Sequence, residues 1–290
     1  MSTGIGGVVV TFNPTVADLE NISNTRRQFD HFIVVDNGSP KQTLARLRAQ
    51  SIEEDFLLIQ NAVNLGIARA LNQGIKELLI VNDEWILLLD QDSRLTPQFA
   101  SKMVADFRAI AAKRKILQLV PRYIDPESSA EVHNTALHED GGPFLTITSG
   151  SLYRAEVFGI CGLFEEDLFV YCVDDDYSLR IRDRGYSIGK SQEAVLWHLS
   201  GHTTSRRFLG WTISTKNYRP ASRYYFARNK IWILKHWARK YPRLILPTVR
   251  QFISIPAKIL LAEDRRLEKL GMFGRGIVDG IKGVVGPLSQ

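Results

Sequence analysis

Residues 85–93, Trp-Ile-Leu-Leu-Leu-Asp-Gln-Asp-Ser, join five consecutive apolar residues to a polar, acidic ending. A continuous apolar run of this length, without polar alternation, is typical of a strand that is buried on both faces of a sheet. Sheets of this kind are mostly parallel and covered by helices, and their ligands bind beyond the carboxyl ends of the strands. The carboxylates of Asp90 and Asp92 therefore mark the sheet edge at which we expect a site.

Similar apolar runs occur on both sides of this stretch and alternate with helical patterns. The predicted strands are Gly7–Phe12, Phe32–Val35, Phe56–Ile59, Trp85–Leu89 and Ile116–Val120. Helices are predicted at Ile67–Leu79, from its apolar stripe, from Pro97 to about Lys113, and at Asp174–Arg184, which Gly185 ends. The alternation predicts an α/β fold with a doubly wound, mostly parallel sheet.

The balance of acidic and basic residues changes near residue 202, from an acidic first part to a basic second part. Residues 1–202 contain 19 Lys/Arg and 27 Asp/Glu, whereas residues 203–290 contain 18 Lys/Arg and 4 Asp/Glu. We interpret residues 1–202 as a catalytic domain, with a nucleotide-binding half at about 1–123 and an acceptor half at about 124–202. Residues 203–290 are predicted to form a basic, mainly helical extension that meets an anionic partner or is simply solvated.

The apolar segments of the extension indicate whether the protein associates with a membrane. The longest apolar stretch, Leu244–Ala262, is interrupted by two prolines and two basic residues, so the sequence predicts no membrane span. Four apolar residues of a later segment can share a helical face with two basic residues beside it: Phe273, Ile277, Ile281 and Val284, with Arg275 and Lys282. This face predicts either binding to an anionic membrane surface or packing on the protein or on a second subunit. Two cysteines and a start without signal-peptide character indicate a reducing, cytoplasmic compartment.

The polar residues that follow the strands suggest the chemistry. Asp90 and Asp92, two residues apart on a turn, can hold a hard divalent cation such as Mg²⁺ or Mn²⁺. The same pair also fits an ordinary strand-ending turn. Neither of the two glycine-rich phosphate-binding motifs occurs in the sequence, so a bound diphosphate would depend mainly on the metal.

Two further features allow both a chemical and a structural interpretation. Asp174, Asp175 and Asp176 are close enough for one carboxylate to act as a base, but acids also stabilise the first turn of a helix. His198 ends the strand-like run Ala194–Trp197 and is either structural or a ligand of metal or phosphate.

In register, these features resemble the family-2 inverting glycosyltransferases of the GT-A fold, and among them the bacterial rhamnosyltransferases. The matching segments in the first half are residues 9–14 (VVTFNP), 34–39 (VVDNGS), 64–68 (NLGIA), 71–75 (LNQGI) and 87–93 (LLLDQDS). Those in the second half are residues 148–152 (TSGSL), 162–170 (GLFEEDLFV), 173–180 (VDDDYSLR), 198–201 (HLSG) and 223–229 (RYYFARN).

This resemblance implies roles for individual residues. Those expected to contact the nucleotide sugar are Thr11, Asn13, Asp36, Asn64 and Asp90. The expected metal ligands are Asp92, Asp90 and His198, and Asp174 is the expected general base. Acceptor contacts are expected from Gly150, Asp175 and Arg228. Val173 stands where the family's Glu-Asp pair has its first acid, a departure that the rhamnosyltransferase branch often shares.

The implied donor is dTDP-rhamnose, and the implied acceptor is a saccharide or a lipid-linked saccharide, with a homo-oligomer left open. Three alternatives are considered: a UDP-hexose donor, a sugar nucleotidyltransferase and a nucleic-acid-binding protein. The nucleotidyltransferase is disfavoured because no glycine-rich loop follows Phe12-Asn13-Pro14. A nucleic-acid binder would use the basic aromatic extension. The acidic catalytic body disfavours it, so we expect no nucleic-acid partner.

Overall fold

The computed structural model describes residues 4–126, 128–132, 136–197, 204–208 and 211–288. The chain forms two compact units. Unit 1 comprises residues 1–166 and 174–199, and unit 2 comprises residues 167–173 and 200–290. The division of the first 202 residues into a nucleotide half and an acceptor half stays a prediction.

Within the described residues, unit 1 is built on a nine-stranded sheet. Its strands are β1 (Ile5–Thr11), β2 (His31–Asp36), β3 (Leu57–Gln60), β4 (Trp85–Asp90), β5 (Arg94–Leu95), β6 (Ile116–Ile124), β7 (Glu131–Val132), β8 (Ser151–Arg154) and β9 (Ser187–Trp197). Their order is β3-β2-β1-β4-β8-β6-β9-β5, and β7 pairs with β6. Strands β1 to β4 are parallel to one another, whereas β8 is antiparallel to both β4 and β6. The predicted α/β class and mostly parallel sheet are confirmed.

Helices cover this sheet. They are α1 (Val16–Arg26), α2 (Lys41–Glu53), α3 (Ile67–Ile80), α4 (Phe99–Ala111), α5 (Glu156–Ile160) and α6 (Val173–Asp183), with a 3-10 turn at Glu166–Leu168. Helix α3 lies close to the sheet because it presents Gly74, where a Cβ atom would be 2.5 Å from a methyl carbon of Val8. The apolar run of β4 is buried throughout, since helices and strands cover both of its faces. Gly185 follows α6 with a φ of +79°, as predicted for a left-handed helix end.

Unit 2 is mainly helical, as predicted, but it begins with strands that the sequence analysis missed. Strands β10 (Thr204–Phe208) and β11 (Trp211–Thr215) form an antiparallel hairpin. The helices that follow are α7 (Pro220–Trp237), α8 (Ile245–Ala262) and α9 (Arg266–Lys282), with a 3-10 turn at Pro242–Leu244.

Helices α7 and α9 pack closely because glycine lies at their contact. A Cβ atom at Gly276 would be 2.3 Å from the carbonyl oxygen of Tyr224. Phe273, on the same face of α9, is buried against Phe252 of α8, with ring centroids 5.5 Å apart. Ile281, predicted to share an apolar face with Phe273, is 62% exposed. The predicted stripe is therefore divided between a packed part and an exposed part.

The expectation that prolines interrupt the apolar stretch Leu244–Ala262 is wrong, because α8 runs through it without a break. The helix stays continuous through both prolines: Pro247 lies in its first turn, where proline is tolerated, and Pro256 lies inside it. With the turn that precedes it, the helix forms the 21-residue segment Pro242–Ala262, which contains an 18-residue window with a mean hydropathy of 1.4. By length and composition alone, this one helix within the described residues is long and apolar enough to cross a membrane.

Candidate active site

The carboxyl ends of three parallel strands bring the predicted site residues to one edge of the sheet in unit 1. Thr11 at the end of β1 pairs with Asp36 at the end of β2. Val10, one residue before Thr11, pairs with Asp90 at the end of β4. Asp36, Thr11 and Asp90 therefore lie in neighbouring rows across the sheet, which confirms that the polar strand endings converge.

The residues predicted to line the nucleotide differ in exposure. Thr11 and Asp36 are fully buried, and the Asp36 carboxylate accepts hydrogen bonds from the Thr11 hydroxyl (3.2 Å) and from the hydroxyl (2.5 Å) and backbone N–H (3.0 Å) of Ser39. Asn13 is exposed, with a φ of +51°, and its N–H donates to the Ser39 hydroxyl (2.9 Å). Ser39, which the sequence analysis did not single out, ties the two strand ends together. A nucleotide contact with Thr11 or Asp36 would require Ser39 to turn away.

Asn64 belongs to a network of amides that fixes the loops after β2 and β3. Its side-chain oxygen accepts from the amide of Asn37 (3.1 Å) and from the N–H of Gly66 (2.9 Å). Asn37 is buried, and its own oxygen accepts from the N–H of Leu65 (2.9 Å). Asn64 itself is exposed at this edge. A nucleotide contact by Asn64 thus stays a prediction that its position allows.

Gln91 and Ser93 stabilise the turn that carries the carboxylates of Asp90 and Asp92. The side-chain oxygen of Gln91 accepts the N–H of Phe12 (2.9 Å), which connects the ends of β4 and β1. The Ser93 hydroxyl accepts the N–H of Asp90 (3.0 Å) and bonds the hydroxyl of Ser149 (2.8 Å). Asp90 is half-buried, and Asp92 is exposed. The turn is thus rigid, and one of its two carboxylates faces solvent.

The pKa of Asp90 is raised to about 6, mainly by burial and next by the nearby Asp92 carboxylate, while a hydrogen bond from Ser149 opposes both effects. Two crowded carboxylates with hard oxygen atoms fit a divalent cation, which would relieve their repulsion. Within the described residues, no group of three or more His, Cys, Asp or Glu side chains could hold a metal ion. Asp90 and Asp92 are the predicted metal ligands within the described residues, and their ligation of a metal stays a prediction. His198, the third predicted ligand, lies outside the described residues, one position after the end of β9.

The three aspartates that begin α6 have different surroundings. Asp176 is buried and pairs with Arg180 one turn later, with 2.8 Å between Oδ2 and Nε. Asp174 and Asp175 are half-buried, and a carboxylate oxygen of Asp174 accepts the N–H of Asp175 (3.0 Å). Asp176 is therefore committed to an ion pair, so Asp174 and Asp175 remain as candidate bases.

Tyr123 connects Asp174 to the sheet edge. Burial raises the pKa of Tyr123 well above its ordinary value, and the carboxylates of Asp90 and Asp174 both raise it as well. The Tyr123 hydroxyl donates to the backbone oxygen of Ser149 (2.9 Å). Asp174 and Asp90, which are 84 positions apart in the sequence, are thus both within electrostatic range of one tyrosine.

Buried side chains on the rest of α6 fix its orientation. The Ser178 hydroxyl, one turn after Asp174, bonds the hydroxyl of Thr146 (2.9 Å). The Tyr177 hydroxyl donates to the backbone oxygen of Gly162 (3.0 Å), and Arg182 bonds Asp140 (3.1 Å). These contacts hold the helix that presents Asp174, and none of them was identified from the sequence.

Two of the three residues predicted to contact the acceptor are buried and have structural roles, and their acceptor roles stay predictions. Gly150 is buried with a φ of +73°, and its N–H donates to the backbone oxygen of Leu88 (2.7 Å). It shapes the turn that presents Ser149. Arg228 is 1% exposed, and its guanidinium donates to the backbone oxygens of Leu168 (3.1 Å) and Gly286 (2.5 Å). The third residue, Asp175, is accessible, and its acceptor role stays a prediction.

Arg228 and its neighbour hold a strained loop in unit 2. Phe169, Tyr171 and Cys172 all have φ between 61° and 65°, in the left-handed region that side chains with a Cβ atom rarely adopt. The side-chain amide of Asn229 donates to three backbone oxygens of residues 168–171, at 2.7–2.9 Å. This loop directly precedes α6 in the sequence.

Known proteins agree with this arrangement. Over 306 aligned residues the chain is 28% identical to the dTDP-rhamnosyl transferase RfbF of Shigella flexneri, covering 99% of this chain and 98% of RfbF. It is 23% identical to the galactofuranosyltransferase GlfT1 of Mycolicibacterium smegmatis, covering 74% of this chain and 77% of GlfT1.

Solved structures show the same fold. S. aureus TarS residues 1–349 in complex with UDP-GlcNAc match with a TM-score of 0.63 and 16% identity, covering 97% of this chain and 81% of that chain. The longer TarS structure is covered to 43% of its length. A mannosyltransferase from Pyrobaculum calidifontis in complex with GDP-Man and Mn²⁺ matches with a TM-score of 0.60 and 15% identity, covering 98% of this chain and 76% of that chain. The family model described as glycosyl transferase family 2 matches residues 8–158. The chain therefore belongs to glycosyl transferase family 2, and it is a glycosyltransferase.

Proposed function

We propose that this glycosyltransferase moves L-rhamnose from dTDP-rhamnose onto a hydroxyl of a cell-surface polysaccharide or lipid-linked saccharide, with inversion at the anomeric carbon. The observation that supports the reaction type is the convergence of the polar strand endings Thr11, Asp36 and Asp90 at the carboxyl edge of the sheet. Besides burial, the carboxylates of Asp90 and Asp174 both raise the pKa of Tyr123, which supports Asp174 as a base for this edge. Asp174 would thus act on the acceptor hydroxyl, and Asp90 on the leaving diphosphate.

In this mechanism, Asp174 accepts the proton of the acceptor hydroxyl as its oxygen attacks the anomeric carbon. The C–O bond to the diphosphate breaks on the opposite face, so the anomeric configuration inverts. Asp90 and Asp92 would hold Mg²⁺ or Mn²⁺, which when bound neutralises charge on the leaving diphosphate. Gln91 and Ser93 keep the turn rigid, and Ser178 keeps α6 oriented. Such preorganisation reduces the reorganisation that the transition state would otherwise require.

The donor proposal rests on similarity along the whole chain to a dTDP-rhamnosyl transferase. Asn13 and Asn64 are the predicted nucleotide contacts that the structure leaves exposed at the sheet edge. Proteins of this fold bind different donors, as the TarS complex with UDP-GlcNAc and the mannosyltransferase complex with GDP-Man illustrate. The fold therefore does not choose the sugar, and the donor needs a direct test.

Calorimetry with Mg²⁺ present should show tighter binding of dTDP-rhamnose than of UDP-glucose or UDP-N-acetylglucosamine. We expect about a tenfold preference or more. A pocket shaped for the methyl group of a 6-deoxy sugar gives an added hydroxyl no partner, and discrimination of this kind typically reaches about 10². dTDP alone serves as a control, because it isolates the contribution of the base and diphosphate. Tighter binding of either UDP sugar would contradict the rhamnose assignment and leave the family assignment intact.

The cellular location that we propose is the cytoplasmic face of the membrane, with the protein attached peripherally. The support comes from unit 2: its sequence is strongly basic, and six large apolar side chains of α8 are exposed. A role in nucleic-acid binding is not favoured, because the family assignment accounts for the acidic sheet edge.

A further inference from the structure

Unit 2 contains a cavity of about 430 Å³ that has no part in the mechanism above. Its walls come from β11 and the residues after it, the start of α7, the middle of α8, and Tyr171. Three cationic side chains line it, namely Lys216, Arg223 and Lys258. None of the described residues that line the cavity is acidic. A cleft lined by charges of one sign concentrates ligands of the opposite sign, so the lining favours an anionic group.

Arg223 has hydrogen-bonding capacity that the described protein does not use. The residue is 6% exposed, its guanidinium pairs with the buried Glu263, and the guanidinium carbon lies 5.3 Å from the ring centroid of Tyr218. The buried Nε–H has no hydrogen-bond acceptor among the described residues. Buried donors are nearly always satisfied, so an oxygen atom of a bound ligand would supply the missing acceptor. Glu263 also pairs with Lys269 (3.1 Å), which limits how far it neutralises Arg223.

The two lysines add charge that the neighbouring chain does not balance. Lys216 and Lys258 are exposed, and neither forms an ion pair within the part of the chain that the structure describes. Residues 194–262 contain 13 Lys/Arg and no Asp/Glu. Ammonium and guanidinium groups bind carboxylate and phosphate oxygens through charge-assisted hydrogen bonds. The anionic group is therefore a carboxylate or a phosphate.

The rest of the lining has the composition of a site for a sugar ring. A sugar presents hydroxyl groups at its edge and C–H groups on its faces, so it needs both polar and apolar partners. The cavity offers hydroxyl and amide groups together with aromatic rings, and its volume lies in the range of about 300–1,000 Å³ that is typical of sites for organic ligands. The polar residues are Ser214, Thr215, Ser222, Gln251 and Ser254, and the aromatic residues are Tyr171, Tyr218 and Phe226.

The residues that form the cavity favour the acceptor over the donor as its ligand. The predicted donor contacts follow the strands of unit 1, whereas every residue that lines the cavity belongs to unit 2. One of these residues, Tyr171, precedes the proposed base Asp174 by three positions in the sequence. Because Asp174 would act on the acceptor hydroxyl, we assign the cavity to the acceptor saccharide.

We propose that this cavity binds an acidic sugar of the acceptor, meaning a sugar that itself carries a carboxylate or a phosphate group. Lys216, Lys258 and the Nε–H of Arg223 bind the acidic group, and the hydroxyl and aromatic groups of the lining bind the ring. The inference rests on the proposed function in one respect, because it makes this sugar part of the acceptor saccharide. It adds the class of acceptor, which is a negatively charged saccharide.

Titration of the full-length protein with soluble sugars, followed by ligand-observed NMR, tests this proposal. The acidic probes are trigalacturonate and galactose 6-phosphate, and their neutral counterparts are a galactose trisaccharide and galactose. At least one acidic probe should bind tenfold or more tightly than its neutral counterpart, because only the acidic group forms charge-assisted hydrogen bonds with the cationic side chains. A preference confined to trigalacturonate identifies a carboxylate, and one confined to galactose 6-phosphate identifies a phosphate.

The titration contains no nucleotide sugar and measures no transfer, so its outcome is independent of the proposed reaction. A failure to bind acidic sugars would leave the transfer reaction intact. A failure of transfer from dTDP-rhamnose would leave the binding preference unchanged.

Matched double variants test whether the cavity lysines cause the preference. Lys216→Gln with Lys258→Gln should abolish it. Arg239→Gln with Arg250→Gln removes the same charge from exposed positions outside the cavity lining and should keep the preference. All four positions are exposed, so unaltered thermal unfolding is expected of both variants. Arg223 is kept in every variant, since its loss would leave the buried Glu263 without this partner.

A pair of bulky substitutions on α8 tests the location of the site. Ser254 is exposed and lines the cavity, so Ser254→Trp should fill part of the cavity and weaken the binding of the preferred acidic sugar at least tenfold. Ala257 is exposed on the same helix and does not line the cavity, so Ala257→Trp should bind that sugar as the wild type does.

Four results would overturn the proposal. They are equal affinity of the wild type for acidic and neutral sugars, a preference that survives the lysine substitutions, unchanged binding by Ser254→Trp, and binding of inorganic phosphate as tight as that of the preferred acidic sugar. The last result would assign the cavity to a free anion, because the sugar ring would then contribute nothing to binding.

Discussion

Asp174→Asn should bind the donor with unchanged affinity and lose transfer by roughly 10²–10⁴-fold, because it removes the positioned base and leaves the nucleotide site intact. The substitution keeps the shape of the side chain and its capacity to accept the N–H of Asp175. Helix α6 is held by other contacts, so thermal unfolding should stay unchanged. The measurement is turnover with saturating donor and acceptor, alongside calorimetric donor binding.

The neighbouring aspartates provide matched controls, because each substitution removes one carboxylate from the same helical turn. Asp175→Asn should leave kcat within a few-fold of wild type and raise the acceptor KM, as expected of an acceptor contact. Asp176→Asn should instead destabilise unit 1 by about 3 kcal/mol, because it leaves the Arg180 side chain without its buried partner. If Asp174→Asn kept wild-type turnover and Asp175→Asn lost it, the general base would be Asp175 and not Asp174.

Asp92→Ala should abolish transfer, with a loss of roughly 10³-fold or more, because Asp92 is the more exposed of the two predicted metal ligands. A chelator should have the same effect on the wild type, and added Mg²⁺ or Mn²⁺ should restore it. The direct readout is Mn²⁺ affinity in the presence of dTDP, measured by electron paramagnetic resonance. The variant should bind Mn²⁺ at least tenfold more weakly.

Asp183→Ala is the control for the metal prediction, because Asp183 is an exposed carboxylate at the far end of α6. It should keep both Mn²⁺ affinity and turnover. Full activity of the wild type in excess chelator would show that Asp90 and Asp92 do not act through a metal. Unchanged Mn²⁺ affinity in Asp92→Ala would show that Asp92 is not a metal ligand.

The fold was predictable where the apolar pattern of a segment indicates which of its faces are buried. The apolar run of β4 identified a strand buried on both faces, and the stripe of α3 identified a helix that covers it. The antiparallel insertion of β8 between β4 and β6 was not predictable, because pairing partners depend on tertiary packing. Strand β10 was missed because its sequence, Thr-Ser-Arg-Arg-Phe, has no strand-like alternation, whereas β11, Trp-Thr-Ile-Ser-Thr, does alternate and was overlooked. Pro247 and Pro256 suggested an interrupted apolar stretch, although one continuous helix accommodates both.

The site was predictable to the extent that residue type implies role. Carboxylates after strands were recognisable, as were those at the start of α6. Burial is not visible in one sequence, so the resemblance alone gave acceptor roles to Gly150 and Arg228, both of which are buried in the structure. The same limit concealed Ser39, Asn37 and Ser178, whose polar side chains support the site from inside the protein. Small polar residues of this kind look alike in sequence whether they face solvent or the core.

The most direct test of the central claim is the stereochemistry of one transfer. Purified protein with Mg²⁺, dTDP-rhamnose and a lipid-linked or saccharide acceptor should release dTDP in equal amount to the rhamnoside formed. Proton NMR of that product should show the anomeric configuration opposite to that of the donor, and Asp174→Asn should form both products roughly 10²–10⁴-fold more slowly. A rhamnoside with the donor's configuration would contradict single displacement by an acceptor hydroxyl that Asp174 deprotonates.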